Sequence, residues 1–304
     1  MNSNYVQLRT ESLDFFLREA PQMGAIALKY FGRLRKDQIH DKGGHIHDPV
    51  TVADTEISEY IVPLAKKMFG AHISLLTEES ANDFSYDPSK ALWIIDELDG
   101  SKNFKDNKED FCILMAMAEP GSDGYEVTVG LVYKPVTKEF YFAIINHDAF
   151  YQKDDDKKIL SVSNTNRIVS SSSVNANIGR DTFPQDHMDK FGKIVELMES
   201  FRADNQRQVA KNHRFTAGIE IMDVANGNVD LCLFAKAANW DYAAPSIILK
   251  QAGGEAYVVK SIEDLIKPRF WYLQMGKPGE YYPAIFTNGK IDITETLRQH
   301  ITHK

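Results

Sequence analysis

Five acids in this chain stand where an active site would need them. Asp96 and Asp99 lie three residues apart in Trp93-Ile94-Ile95-Asp96-Glu97-Leu98-Asp99-Gly100-Ser101, after an apolar run that reads as a buried strand. Glu78 and Glu79 follow a second apolar run, Ile73-Ser74-Leu75-Leu76, and Asp241 opens a helical stretch at Asn239-Trp240-Asp241. Loops leaving strand ends are where open α/β proteins place their chemistry. Carboxylates gathered there would repel one another unless they held cations, and oxygen-only donors select hard ions such as Mg2+ or Mn2+ over zinc. A pair of such ions can hold the attacking water and the leaving oxygen of a phosphoryl transfer. Gly100 would let backbone approach a ligand, and free N–H groups at that turn form an anion site. Each feature also has a plain structural use. Asp99-Gly100 between apolar runs suits a hairpin turn, Asp241 a helix N-cap, Asp54 the first turn of a helix, and Glu78-Glu79 a solvated face.

The elements that must position these acids follow from hydrophobic spacing. Residues 11–33 carry Leu13, Phe16, Leu17, Ala20, Met23, Ile26 and Tyr30 at helical intervals, with Pro21 expected to kink or split the helix. A second helix is expected from about Val52, with Ile57, Ile61, Leu64 and Met68 on one face and a kink at Pro63. Phe111 to Ala118, Glu126 to Tyr133 and Glu139 to Ile145 alternate like antiparallel strands. The later part reads as a strand at Ile168 to Ser172, helices at Asp186 to Phe201 and Ala217 to Asn226, a strand at Val229 to Phe234, and a helix at Asp241 to Gln251. An α+β half over residues 1–160 and an α/β half over 161–304 are expected, with any boundary near 155–167. The aromatic Phe270 to Pro283 segment reads as a loop packed on the surface, or a lid over the site.

Composition narrows the partners. A net charge of −8 without a dense basic cluster argues against nucleic-acid polymers. The longest apolar runs are too short to cross a bilayer, and the N-terminus lacks the plan of a signal peptide. Two lone cysteines, Cys112 and Cys232, read as small core residues of a cytoplasmic protein. The expected ligand is therefore a small molecule, and an acidic protein binding an anionic one needs cations to reverse the local sign.

Four motifs, in order and covering roughly residues 40–255, carry a resemblance. They are Asp48-Pro49-Val50-Thr51-Val52-Ala53-Asp54, Glu78-Glu79-Ser80, the Trp93 to Phe104 segment, and Trp240-Asp241 with the later Ala252-Gly253-Gly254. Together they resemble the inositol monophosphatase superfamily, which includes 3′(2′),5′-bisphosphate nucleotidases and fructose-1,6-bisphosphatases. The resemblance implies a layered α-β-α-β-α sandwich and a Mg2+-dependent, lithium-sensitive phosphomonoesterase with two or three ions, for which Mn2+ substitutes. It assigns metal binding to Glu78, Asp96, the Leu98 carbonyl, Asp99 and Asp241. Asp54 and Ser101 would orient and deprotonate a metal-bound water. The N–H groups of Gly100 and Ser101 would hold phosphate oxygens, Lys42 would belong to a mobile loop, and Glu79 to that loop or to a third metal.

The chain also departs from the family pattern. Glu97 stands where the family usually has proline, and is expected to point outward because another inward acid would cost more than it contributes. Ser101 replaces the commoner threonine and keeps the hydroxyl. Phe234 occupies the position of an acid that inositol-specific members place seven residues before Asp241, and an apolar ring cannot accept hydrogen bonds from a polyol. Lys102 matches a lysine of nucleotidase relatives. The expected substrate is a small ester such as an inositol monophosphate or a sugar phosphate. The alternative is a phosphoadenosine phosphate-type nucleotide, and a remoter one is a catalytically silent ligand-binding homologue. Homodimers are common among such relatives. A separate alternative, the His45-x-His47 of metal-dependent amidohydrolases, lacks the core strand that should precede it.

Overall fold

The computed structural model describes residues 5–41, 49–81, 85–122, 124–164, 174–177, 188–189, 191–193, 195–196, 216–258 and 282–290. Helix α1 spans Val6–Tyr30, strands β1 (Ile39–Asp41) and β2 (Pro49–Thr51) form a short antiparallel pair, and helix α2 spans Val52–Phe69. Both helices run through their prolines without a break, and Met68 is exposed instead of sharing the face of Ile57 and Ile61, its place at that end of α2 being taken by buried Phe69. Phe15, Phe16, Ala20 and Met23 are buried on either side of Pro21, and that packing carries α1 past the expected split.

A seven-stranded sheet follows in chain order. It contains β3 (Ile73–Thr77), β4 (Ala91–Asp99), β5 (Cys112–Gly121), β6 (Gly124–Lys134), β7 (Glu139–Ile144), β8 (Phe150–Lys153) and β9 (Asp156–Ile159). Only the β3–β4 pairing within it is parallel. Short helix α3 (Ser101–Lys105) leaves the end of β4. Strand β10 (Val174–Asn177), helix α4 (Ala217–Ala225), strand β11 (Leu231–Ala237), helix α5 (Asn239–Gln251), strand β12 (Glu255–Val258) and strand β13 (Tyr282–Thr287) build the second part. Its sheet has the order β10-β11-β13-β12.

Strand alternation explains the layers. Trp93, Ile95, Ile113 and Met115 face α1 and α2, where Trp93 meets the rings of Phe15, Phe16 and Phe69 at 4.7–5.1 Å. Leu92, Ile94, Leu114 and Ala116 face the other way, into one core shared with α4, α5 and the four-stranded sheet. Phe191 and Val195, in the helical residues described between 188 and 196, are buried, the Phe191 ring lying 5.7 Å from Tyr282. This is the expected sandwich of helices and sheets. The expected strand at 168–172, Lys42, His45, His47 and residues 270–281 lie outside the described residues.

Candidate active site

Asp96 and Asp99 belong to the end of β4, not to a turn after it, which removes the hairpin alternative. Asp96 pairs with Leu114 and Asp99 with Cys112, so three steps on β4 oppose two on β5. This β-bulge has a direct consequence. In a regular strand, residues three apart point to opposite faces, whereas the extra residue returns Asp99 to the face of Asp96. Leu98 is correspondingly turned into the α1–α2 core. Parallel pairing of Thr77 with Ile95 continues one step, the Glu78 N–H donating to Ile95 O at 3.1 Å. That register sets Glu78 beside Asp96.

Asp241 arrives from the second part. It is the third residue of α5, three places past the N-cap Ala238, and its Oδ2 accepts from the Ala238 N–H at 2.7 Å. Asp99 is held from α4, accepting from the Gly218 N–H at 2.6 Å, the Ala217 N–H at 3.2 Å and the Cys112 thiol at 3.4 Å. Asp96 Oδ1 accepts from the Leu98 N–H at 3.0 Å. Amides thus fix three of the acids before any ion is considered. Among the described residues, no three His, Cys, Asp or Glu side chains are already closed around one point as a metal shell.

The four acids nevertheless share a space. Burial, then repulsion from Glu78, Asp99, Asp241 and Glu97, holds Asp96 well above the usual carboxylate range. Burial and Asp241 push Asp99 up to about 8, against the opposing pull of its amide and thiol donors. A cation is the group that relieves such repulsion, and every donor here is oxygen, so the set fits a hard divalent ion. The sign for stability follows. Without metal, the folded chain binds more protons than the unfolded one between about pH 4, where free carboxylates titrate, and about pH 8. Metal-free protein should therefore lose thermal stability as pH rises from 5 to 8, and Mg2+ should flatten the loss. Melting curves in chelator and in Mg2+ check this.

Asp54 and Ser101 form a second, hydrogen-bonded unit. Asp54 lies in the first turn of α2, where its Oδ2 accepts from the Thr51 N–H at 2.8 Å and the Thr51 hydroxyl at 2.6 Å. Its Oδ1 faces Ser101 Oγ at 3.1 Å, and that hydroxyl also lies 2.9 Å from Leu98 O. The single hydroxyl proton can serve only one of these at a time. Gly100 has φ +94°, and a Cβ there would lie 2.7 Å from Thr216 Oγ1 and 3.0 Å from Asp110 O. Only glycine makes that turn.

A family model described as the inositol monophosphatase family matches residues 9–270. The chain belongs to this family. It is 30% identical over 254 residues to an inositol monophosphatase of Dictyostelium discoideum, covering 80% of this chain and 84% of that protein. It is 29% identical over 244 residues to a fructose-1,6-bisphosphatase/inositol-1-monophosphatase of Thermotoga maritima, covering 80% and 83%. The solved structure of a Thermotoga maritima IMPase superposes with a TM-score of 0.70 at 23% identity, over 96% of this chain and 99% of that one.

Against the family pattern, the structure overturns one expectation. Glu97 is 1% exposed and points inward, because alternation along β4 sends it to the face opposite Asp96. Burial pushes it up to about 7, the Ser58 hydroxyl opposing and Glu79 adding to the rise. Phe234 is also in the core, its ring 5.7 Å from Phe286. Lys102 is exposed and Glu79 half-buried. Several residues that hold the site were passed over in the sequence. The Ala217 and Gly218 amides and the Cys112 thiol hold Asp99, while Asn103 and Thr216 tie α3 to α4 and to Asp110 O through bonds of 2.6–2.9 Å. Lys236 lies at a bulge of β11 between Phe234 and Ala237. The glycine at 218 was a signal available in the sequence, since one at the second position of a helix marks close approach rather than helix propensity.

Proposed function

We propose that this family phosphatase is a Mg2+-dependent phosphomonoesterase acting on a small phosphate ester by in-line attack of water. The observation that carries the reading is the convergence of half-buried Glu78 and Asp241 on buried Asp96 and Asp99, where β3, β4 and α5 meet and the four repel one another. Those four carboxylates and the Leu98 carbonyl would hold the ions, which supply positive charge for the phosphoryl group and acidify water. Asp54 accepts the proton from the attacking water with Ser101 orienting it, and the hydrogen bonds from Thr51 lock the Asp54 rotamer for that task. The N–H groups of Gly100 and Ser101 stand at the first turn of α3, where no intrahelical acceptor is available, and take phosphate oxygens.

The preferred substrate is an inositol or sugar monophosphate. A nucleotide carrying a second phosphate is favoured by one observation: Phe234 offers no acceptor to a polyol, while exposed Lys102 follows Ser101 directly. Phosphate release from a panel of inositol, sugar, histidinol and 3′-phosphonucleotide esters, with Mg2+ and with chelator, tests both. Hydrolysis in chelator equal to that in Mg2+ would overturn the proposal. Ser101→Ala removes only the orienting hydroxyl and should lower kcat about a hundredfold with little change in KM. Steady-state kinetics on the best substrate check it.

A further inference from the structure

Asp99 is held from two directions, and its donors trace back to one buried knot of hydrogen bonds. The Ala217 and Gly218 amides come from the start of α4, and the Cys112 thiol from the start of β5. Thr216 stands at the N-cap of α4, yet its hydroxyl makes no cap bond to that helix. A threonine there ordinarily turns its oxygen to the second or third helical amide. Here Asp99 takes the second, Gly218, and the Thr216 hydroxyl is turned to other partners. It donates to Asp110 O at 2.6 Å and accepts from Asn103 Nδ2 at 2.9 Å. Asn103 Nδ2 also donates to Asp110 O, at 2.7 Å, so its two protons serve two acceptors. Both side chains are buried, where a satisfied polar network stiffens its surroundings. Each of the three donors to Asp99 lies within two residues of a member of this knot. Ala217 and Gly218 follow Thr216, and Cys112 follows Asp110.

We propose that Asn103 and Thr216 are positioning residues for cation binding, the knot they form with Asp110 O fixing the donors that aim the Asp99 carboxylate. The inference rests on the reading of Asp99 as a metal ligand given above. Opening the knot frees the start of α4 from α3 and from the chain entering β5. Asp99 then keeps its charge and loses its fixed direction. Groups that orient a ligand from behind commonly set metal affinity by tenfold or more.

Mn2+ titration of the full chain, followed by electron paramagnetic resonance well below the melting temperature, tests the proposal without reference to hydrolysis. Asn103→Leu and Thr216→Val keep the side-chain size and remove the hydrogen-bonding group. Each should weaken Mn2+ binding about tenfold. The double variant should weaken it no further, because either change opens the same knot. Thr216→Ser keeps the hydroxyl and should bind as the unsubstituted protein does. A residue that served folding alone would lower the melting temperature and leave the affinity of the folded protein unchanged. Unchanged affinity in both single variants would therefore overturn the proposal and leave the phosphatase reading intact. Should Asn103→Leu fail to fold, the comparison of Thr216→Val with Thr216→Ser decides, and equal affinities there overturn the proposal. An unsubstituted protein that binds no Mn2+ would overturn the reading of Asp99 as a ligand, and the positioning role with it.

Discussion

Asp96→Asn should lower hydrolysis by roughly three orders of magnitude while making the metal-free fold more stable. Asp96 is the acid on which the repulsion of Glu78, Asp99 and Asp241 converges, and it is buried to 2% exposure. An amide there keeps the shape and can still accept from the Leu98 N–H. It removes one negative charge from a site that must attract cations, so metal affinity and transition-state stabilisation fall together. The same change removes a carboxylate whose charge burial and neighbouring acids disfavour in the folded state, so in chelator the melting temperature should rise. Opposite signs in the two measurements distinguish a functional acid from a structural one. A variant that hydrolyses normally in Mg2+ would show that Asp96 holds no catalytic ion.

Gly130→Ala should have the largest effect on stability, a loss of roughly 3 kcal/mol. A Cβ at Gly130 would lie 2.4 Å from Ala244 O and 2.5 Å from Ile247 Cγ2. Both atoms belong to α5, which rests directly on β6 at this point. One contact is with backbone, so no rotamer change relieves it, and the helix must move off the sheet. Asp241 is three residues from Ala244 on that helix, so hydrolysis should fall along with stability. Urea denaturation gives the first loss and Mg2+-dependent phosphate release the second. A neutral result in both would mean that α5 does not seat Asp241 through this contact.

The parts of the site legible in the sequence share a local origin. The apolar run Leu92 to Ile95 declares a buried strand because nothing polar interrupts it, and glycine at 100 declares a turn because other residues resist positive φ. Thr51 and Asp54 at the start of an apolar periodic stretch announce the beginning of α2, and the helix starts there. Asp54 fills the first-turn use the sequence offered, whereas Asp241 stands at the third helical position instead of the expected N-cap; both reach back to an N-terminal amide. The capping bond and a catalytic task do not compete at Asp54, because its other oxygen faces Ser101.

Amino-acid order alone determined which acids are present, which strands they follow, and the ordered motifs that mark the family. Tertiary structure decided which of them face one another. The bulge that turns Asp99 to the side of Asp96 exists only in the pairing of β4 with β5, and the amides holding Asp99 come from 118 and 119 residues away. The inward turn of Glu97 follows from α2 lying over β4, which no local pattern announces. Periodicity and turn chemistry reach a few residues along the chain. Charge repulsion and close backbone contact act through space, and only the folded layers fix those distances.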